Sequence, residues 1–428
     1  MDKNNLSRLI FSKIISILKI NKHICLTLVI HLLISVTFFA VYLQGPLDNK
    51  IQNAFMTSDF FGIPKSLEDR GIRPFYKSPD VGWDGQFYFY ISNDVFANNS
   101  ELNSHIDSPS YRYQRVGFSL LANLVSKLVH HDWVSPKIYI ATYFLLIVFA
   151  TYLGGKILEH FNLKPYWILL WSLSVGVLIT SFNGLPDAAA DAFFISALFF
   201  LLRNKWFLFG ILMSFSCLSR EVYILFPFIL FIYGIFVAPL KNSNPILKNI
   251  YTNFPKYFYI ALPGFVFILW RLYLYMKFPA QPTDELSNIF DYPFKQWFIF
   301  LKSSIQGTHL FVGSGFSNYG EMFSLLFFMI LLVSSLIFSY IYFFYPSSYK
   351  SQEIQNHLFI KIFSLFILVQ TLIYFCFSSL VMKHYSGYLK VLSIYAFFII
   401  LIIPRIKVNN YIKILLKSFL FLGLLATS

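Results

Sequence analysis

The chain has 428 residues, of which 57% are hydrophobic and 20% aromatic, while only 13% are charged; soluble domains carry about twice that charged fraction. A mean hydropathy of +0.61 excludes an ordinary soluble domain and points to an all-α integral membrane protein with many spans. The net charge of +14 does not signal a nucleic-acid partner, because Lys and Arg are scattered between apolar runs, where they act as topology determinants.

Residues 1–23 carry Lys3, Arg8, Lys13, Lys19 and Lys22 and precede an apolar run from about Ile24 to Leu43. The positive-inside rule makes 1–23 a cytoplasmic N-terminus. The run is too long for a signal-peptide core and lacks a small-residue cleavage site, so it reads as a retained first helix. Cys25, Cys217 and Cys376 lie within or at the edge of apolar runs, without CxxC spacing or a neighbouring metal-ligand His, so neither a disulfide framework nor a zinc site is indicated.

A first outer loop, 44–136, follows on the opposite side and is rich in acids and turn residues. At its centre stands Gly82-Trp83-Asp84-Gly85-Gln86-Phe87-Tyr88-Phe89-Tyr90. Flanking glycines let a backbone turn and approach a ligand closely, and the aromatic run favours a membrane interface. Asp-Gly is also a plain turn dipeptide, and that reading stays open. Residues 111–129 are nearly long enough to span but carry Arg112, Arg115, Asn123, Ser126 and Lys127. Read as an interfacial amphipathic helix, they leave the next span at about Lys137–Leu158.

With that choice the inner connections are all basic, and about eleven spans result, with 137–428 as the remaining helical bundle and 277–320 as a second outer loop. No fixed-period repeat or low-complexity linker divides the chain, which reads as one polytopic domain. The parity brings Asp84, Arg112, Arg115, Asn183, Asp187, Arg220, Glu221, Lys383 and His384 to the outer face. Ionisable groups at the ends of apolar helices are costly unless paired or lining a wet cavity, so this clustering implies an outward-facing site.

Each of these groups has two readings. Arg220 suits placing a fork of donors on a phosphate, oriented by Glu221, and equally suits a snorkelling salt bridge between two helices. Arg112 and Arg115, three apart and next to tyrosines, suit an anionic headgroup or simple interfacial anchoring. The same choice applies to Lys383-His384. Asn183-Gly184-Leu185-Pro186-Asp187 reads as a helix start, and Asp191, one turn on, is the only hint of a second carboxylate on that face. Nucleotide-binding and hydrolase motifs such as GxGxxG, Walker A, HExxH and GxSxG are absent from the sequence. No inner loop is long enough to form a sugar-nucleotide domain.

Asp84-Gly85-Gln86-Phe87-Tyr88 with Tyr111-Arg112-Tyr113-Gln114-Arg115, followed by Asn183-Gly184-Leu185-Pro186-Asp187 and Ser219-Arg220-Glu221, resembles the polyprenyl-phosphate-dependent glycosyltransferases of the GT-C fold. Within them it is most similar to bacterial multi-span proteins implicated in cell-surface glycopolymer formation. The resemblance covers roughly residues 20–235, and Trp83-Asp84 is similar to the Trp-Asp pair of the mannosyltransferases that build GPI anchors. It implies a cytoplasmic (inner) membrane enzyme that takes a polyprenyl-phosphate-linked sugar and a glycan or lipid acceptor on the extracytoplasmic face. Asp84 becomes the base, and Arg220, Arg115, Arg112, Lys383 and His384 the holders of the lipid phosphate. Gln86, Tyr88, Asn183, Asp187 and Glu221 become donor or acceptor contacts. The family brings a divalent metal, Mg or Mn, as the one candidate cofactor. Its frequent second loop acid falls here on Asp80, Asp94 or Asp107, with nothing to choose among them. A carrier or flippase for lipid-linked glycans, or a non-catalytic scaffold, is the alternative. A carrier should show polar residues at mid-span and broken helices in both halves, which this sequence largely lacks.

Overall fold

A run without a charged side chain between Lys22 and Gln44 satisfies its backbone internally and forms helix α1, Lys22–Gln44. Gly45-Pro46 ends it, and Asp48 and Asn49 in the left-handed region turn the chain away. The computed structural model describes residues 22–237, 253–279, 354–377 and 393–402, parts of 291–302 and 332–340, and Lys390. Among the described residues the regular elements are helical, and the one extended pairing is an isolated bridge between Ser58 and Tyr76. The expected all-α class is therefore observed.

Residues 45–135 build a folded cap from short helical turns. Two of its helices position the site: α2, Gly85–Asn93, and α3, Gly117–Leu128. The aromatic run of α2 does not lie at an interface as the sequence suggested. Phe87, Tyr88, Phe89 and Tyr90 are all buried, with Phe89 stacked on Phe55 at 4.2 Å and in edge contact with Tyr139. Aromatic burial on this scale makes the cap a core in its own right. The interfacial helix expected over 111–129 is also divided. Pro109–Arg112 and a 3₁₀ turn, Tyr113–Arg115, precede α3, whose buried side carries Phe118, Ser119 and Ala122 while Leu124 and Leu128 are exposed.

Beyond the cap come α4, Pro136–His160, then α5, Pro165–Ser172, and α6, Val175–Phe182, bent by 57° at a short break. Ser135 and Ser174 start α4 and α6 by accepting from the amides of Ile138 and Val177. Helix α7, Asp187–Leu202, is buried from Asp187 to Leu198 and forms the centre of the bundle. Around it lie α8, Trp206–Ser219; α9, Glu221–Ile235; α10, Phe254–Lys277; α11, Ile354–Tyr374; and α12, Ser393–Ile402.

Helices α1, α4 and α10 are long and apolar enough to cross a membrane, and the bent α5–α6 pair is a fourth candidate if taken as one span. Helices α7, α8, α9 and α12 are apolar but shorter. Leu33, Val36 and Val41 on α1 and Phe265, Ile268 and Leu272 on α10 face outward. A belt of large exposed apolar side chains suits lipid. The far end of α10 reaches the cap, where Trp270 Nε1 donates to Tyr113 O at 2.8 Å and Lys277 Nζ donates to Asn98 Oδ1 at 3.0 Å. The end of α1, the α6–α7 and α8–α9 turns and the end of α10 thus share one end of the bundle, beneath the cap.

Candidate functional site

Asp84 is held by the main chain around it. Gly82 has a φ of +70°, and a Cβ there would stand 2.3 Å from the Met56 carbonyl oxygen. Gly85 opens α2 against the α6–α7 turn, where an added Cβ would lie 1.9 Å from the Asn183 carbonyl oxygen. The sequence suggested that these glycines let the backbone approach a ligand; the close approaches observed are to the chain's own main chain, Gly82 to Met56 and Gly85 to Asn183. Gln86 locks the same loop: its Oε1 accepts from Ser58 N at 3.1 Å and its Nε2 donates to Val81 O at 2.9 Å.

Arg112 lies between two carboxylates. Its Nε and Nη2 donate to Asp107 at 2.8 and 2.6 Å, and Nη2 and Nη1 reach Asp84 Oδ1 and Oδ2, each at 2.9 Å. Both forks of the guanidinium are thereby used, and the cation also stands over the Phe87 and Tyr111 rings at 5.0 and 5.4 Å. Burial alone would raise the Asp84 carboxyl. Arg112 beside it, with Lys390 and Arg115 adding to the field, instead holds it down at about 2.

The 3₁₀ turn sends Arg115 elsewhere. Its Nε and Nη2 bond Glu221 at 3.1 and 2.7 Å, and the guanidinium stands over the Tyr111 ring at 4.9 Å. Arg220, next to Glu221, pairs with Asp187 at the start of α7, and Asp187 is only 3% exposed. One turn along, Asp191 accepts from Trp171 Nε1 at 3.1 Å and from the hydroxyls of Tyr223 and Ser393, joining α5, α9 and α12 to α7. Asn183 Oδ1 accepts from Tyr42 at 2.8 Å, which ties α1 to the same corner. Near these pairs two buried hydroxyls, Tyr88 OH and Ser219 Oγ, have no hydrogen-bond partner among the described residues. Burial pushes the Tyr88 phenol up to about 12 against the pull of Arg115 and Arg112.

The four stretches singled out in the sequence therefore meet at one place. Asp84, Arg112, Arg115, Asn183, Asp187, Arg220 and Glu221 are adjacent, with Tyr88 among them and Gln86 serving the loop behind Asp84. Lys383 and His384 lie outside the described residues. Of the three candidate second acids, Asp94 receives the amides of Asn98 and Asn99 in a turn, whereas Asp107 shares Arg112 with Asp84. Asp80 is exposed and takes no part in these ion pairs. The signal for Asp107 was its position just before the Pro109 helix start, five residues from Arg112. Lys390, close enough to act on both Asp84 and Asp187, was not foreseen because it stands in an apolar tract with no motif around it.

Among the described residues no group of three or more His, Cys, Asp or Glu side chains is arranged to hold a metal ion. The two loop acids are bridged by Arg112, so a divalent cation between them would have to replace a guanidinium that makes bonds to both. Compared with family models, with curated proteins and with solved structures, the chain finds no match.

Proposed function

We propose that the chain is a GT-C type membrane glycosyltransferase of the cytoplasmic membrane, with about eleven spans. It transfers a sugar, with inversion, from a polyprenyl-phosphate donor to a glycan or lipid acceptor on the extracytoplasmic face. The observation that carries this reading is the convergence of Asp84, Arg112, Arg115, Asp187, Arg220 and Glu221, from four separate stretches, at one end of a set of apolar helices. A donor that arrives through the membrane needs its chemistry at that depth.

Inverting displacement at the anomeric carbon requires a carboxylate on the face opposite the leaving phosphate. Asp84, half-buried and ionised, is the group for this role. Its low pKa suits a late proton transfer. As the new C–O bond forms, the acceptor oxygen acquires positive charge and becomes acidic enough to give its proton to a weak base. Arg112 and Asp107 fix the direction of that carboxylate. The leaving phosphate gains charge as the bond breaks, so fixed cations near it favour the transition state over the ground state. Asp84→Asn keeps the shape and one of the two acceptor oxygens that face Arg112 but removes the charge and the proton acceptor. Transfer of radiolabelled sugar from polyprenyl phosphate in membranes should be lost in this variant at matched protein levels; full transfer would remove Asp84 from the chemistry.

The 57° break between α5 and α6 favours a second reading, a carrier for the same lipid-linked glycans, since carriers use broken helices at their sites. Reconstituted protein that moves a fluorescent polyprenyl-phosphate sugar between leaflets without transferring it would support the carrier.

A further inference from the structure

The arginines of the site are already committed. Arg112 is shared by Asp84 and Asp107, Arg115 is bound by Glu221 through two nitrogens, and Arg220 is paired with buried Asp187. Four carboxylates thus face three guanidinia. An anionic ligand that took any of these cations would strand a carboxylate, and at Asp187 a buried one, which is the costly way to break a buried pair. Lys390 is different. It acts on Asp84 and on Asp187, yet it makes no salt bridge and no side-chain hydrogen bond among the described residues. An ammonium has three donors, and these are unclaimed.

Its position is fixed from the bundle side. Lys390 lies three residues before Ser393, whose hydroxyl is within reach of the Lys390 carbonyl at 3.1 Å and also donates to Asp191. Asp191 is in turn held by Trp171 and Tyr223. The lysine backbone is therefore anchored to the centre of the bundle while its side chain remains free and half-exposed. A second donor without a partner among the described residues, Tyr88 OH at 2% exposure, belongs to the same cluster, with the Arg112 guanidinium 6.0 Å over its ring. Buried hydroxyls are normally satisfied, and one left open at a charged cluster marks where a ligand atom belongs.

We propose that Lys390 is the anion receptor of this site, binding a phosphate group that the three paired arginines do not release their carboxylates to take, with the Tyr88 hydroxyl as a second donor. This deepens the lipid-phosphate reading above by naming the residue, and it reassigns the role that the sequence suggested for Arg220. Both a polyprenyl phosphate and free inorganic phosphate carry the group in question.

The test is direct binding to the purified full-length protein in detergent, with polyprenyl phosphate in one arm and inorganic phosphate in the other. Lys390→Gln should weaken binding about tenfold or more, as expected for loss of a charge-assisted contact, and Lys390→Arg should restore most of it. Lys390→Arg should unfold at the temperature of the unsubstituted protein and Lys390→Gln only slightly below it, since Lys390 has no ion pair to lose and contributes only its field at Asp84 and Asp187. Lys390-dependent binding of the lipid alone identifies a lipid headgroup as the source; dependence in both arms identifies a general phosphate site. Equal affinity in Lys390→Gln, or no phosphate binding by the unsubstituted protein, overturns the proposal. Because binding is read without sugar transfer, an absent transferase activity with intact Lys390-dependent binding would sink the enzyme reading alone.

Discussion

Asp84 and Arg112 show how a buried cluster sets the chemistry of one carboxylate. A pKa lowered to about 2 means that Asp84 is ionised at every pH above that value and that the pairing with Arg112 is lost only as pH falls through it. If Asp84 is the base, the acid limb of transfer should not show a carboxylate titrating in its ordinary range near 4. In Arg112→Gln the strongest downward influence on the carboxyl is gone while Lys390 and Arg115 remain. The acid limb of log(kcat/KM) against pH should then move upward, and an unmoved limb would disconnect Asp84 from catalysis. Arg220 belongs to a different class of effect. Arg220→Gln leaves buried Asp187 without its ion pair and should cost about 3–5 kcal/mol of stability, with much of it recovered when Asp187→Asn is added. Thermal unfolding in detergent of the two single variants and the double variant measures this coupling.

At the scale of elements, the join between cap and bundle is main chain against main chain. Gly85 at the start of α2 meets the Asn183 carbonyl at the end of α6, leaving no room for a methyl group. Gly85→Ala should destabilise the protein by about 1–3 kcal/mol or more, because the obstacle is backbone and cannot rotate away, and should reduce transfer by displacing Asp84. An unfolding temperature within a degree of the unsubstituted protein would refute the contact. The sequence made parts of this legible. The boundaries of α1 and α4 followed from charge and apolar length, and the four motif stretches, read only as short outer pieces, are the ones that meet. Other parts were hidden for physical reasons. An aromatic run such as Phe87–Tyr90 looks the same whether it faces lipid headgroups or a small protein core, and only tertiary packing distinguishes them. The helix over 111–129 was read whole because periodicity does not reveal the 3₁₀ turn that separates the directions of Arg112 and Arg115. Asp107 became distinguishable from Asp80 and Asp94 only when Arg112 was seen to reach it.

For the molecule as a whole, the cap gathers the ends of α1 and α10 and the α6–α7 and α8–α9 turns, while Arg203-Asn204-Lys205 lies at the opposite end of α7. With the basic end inside, a cysteine introduced at Asn99 in a background lacking Cys25, Cys217 and Cys376 should react with an impermeant thiol reagent on intact cells. One at Asn204 should react only after the membrane is opened; the reverse pattern would invert the orientation and move the site to the cytoplasm. If that labelling pattern is found, the scattered positive charge that made the chain look basic records orientation, whereas the site itself is close to charge balance.

The Arg115–Glu221 pair also bears on how the protein is made. Its partners are 106 residues apart, so at about 5–20 residues per second Arg115 is synthesised on the order of 5–20 s before Glu221 exists. During that interval the cap can complete its own Asp84–Arg112–Asp107 triad, while Arg115 waits, cationic and unmatched, for α8 and α9 to be inserted. Asp191 waits longer still, since Ser393 follows it by 202 residues. By order of synthesis, then, every partner of the cap's own triad exists well before the partners that complete the rest of the site, which arrive only with α9 and α12.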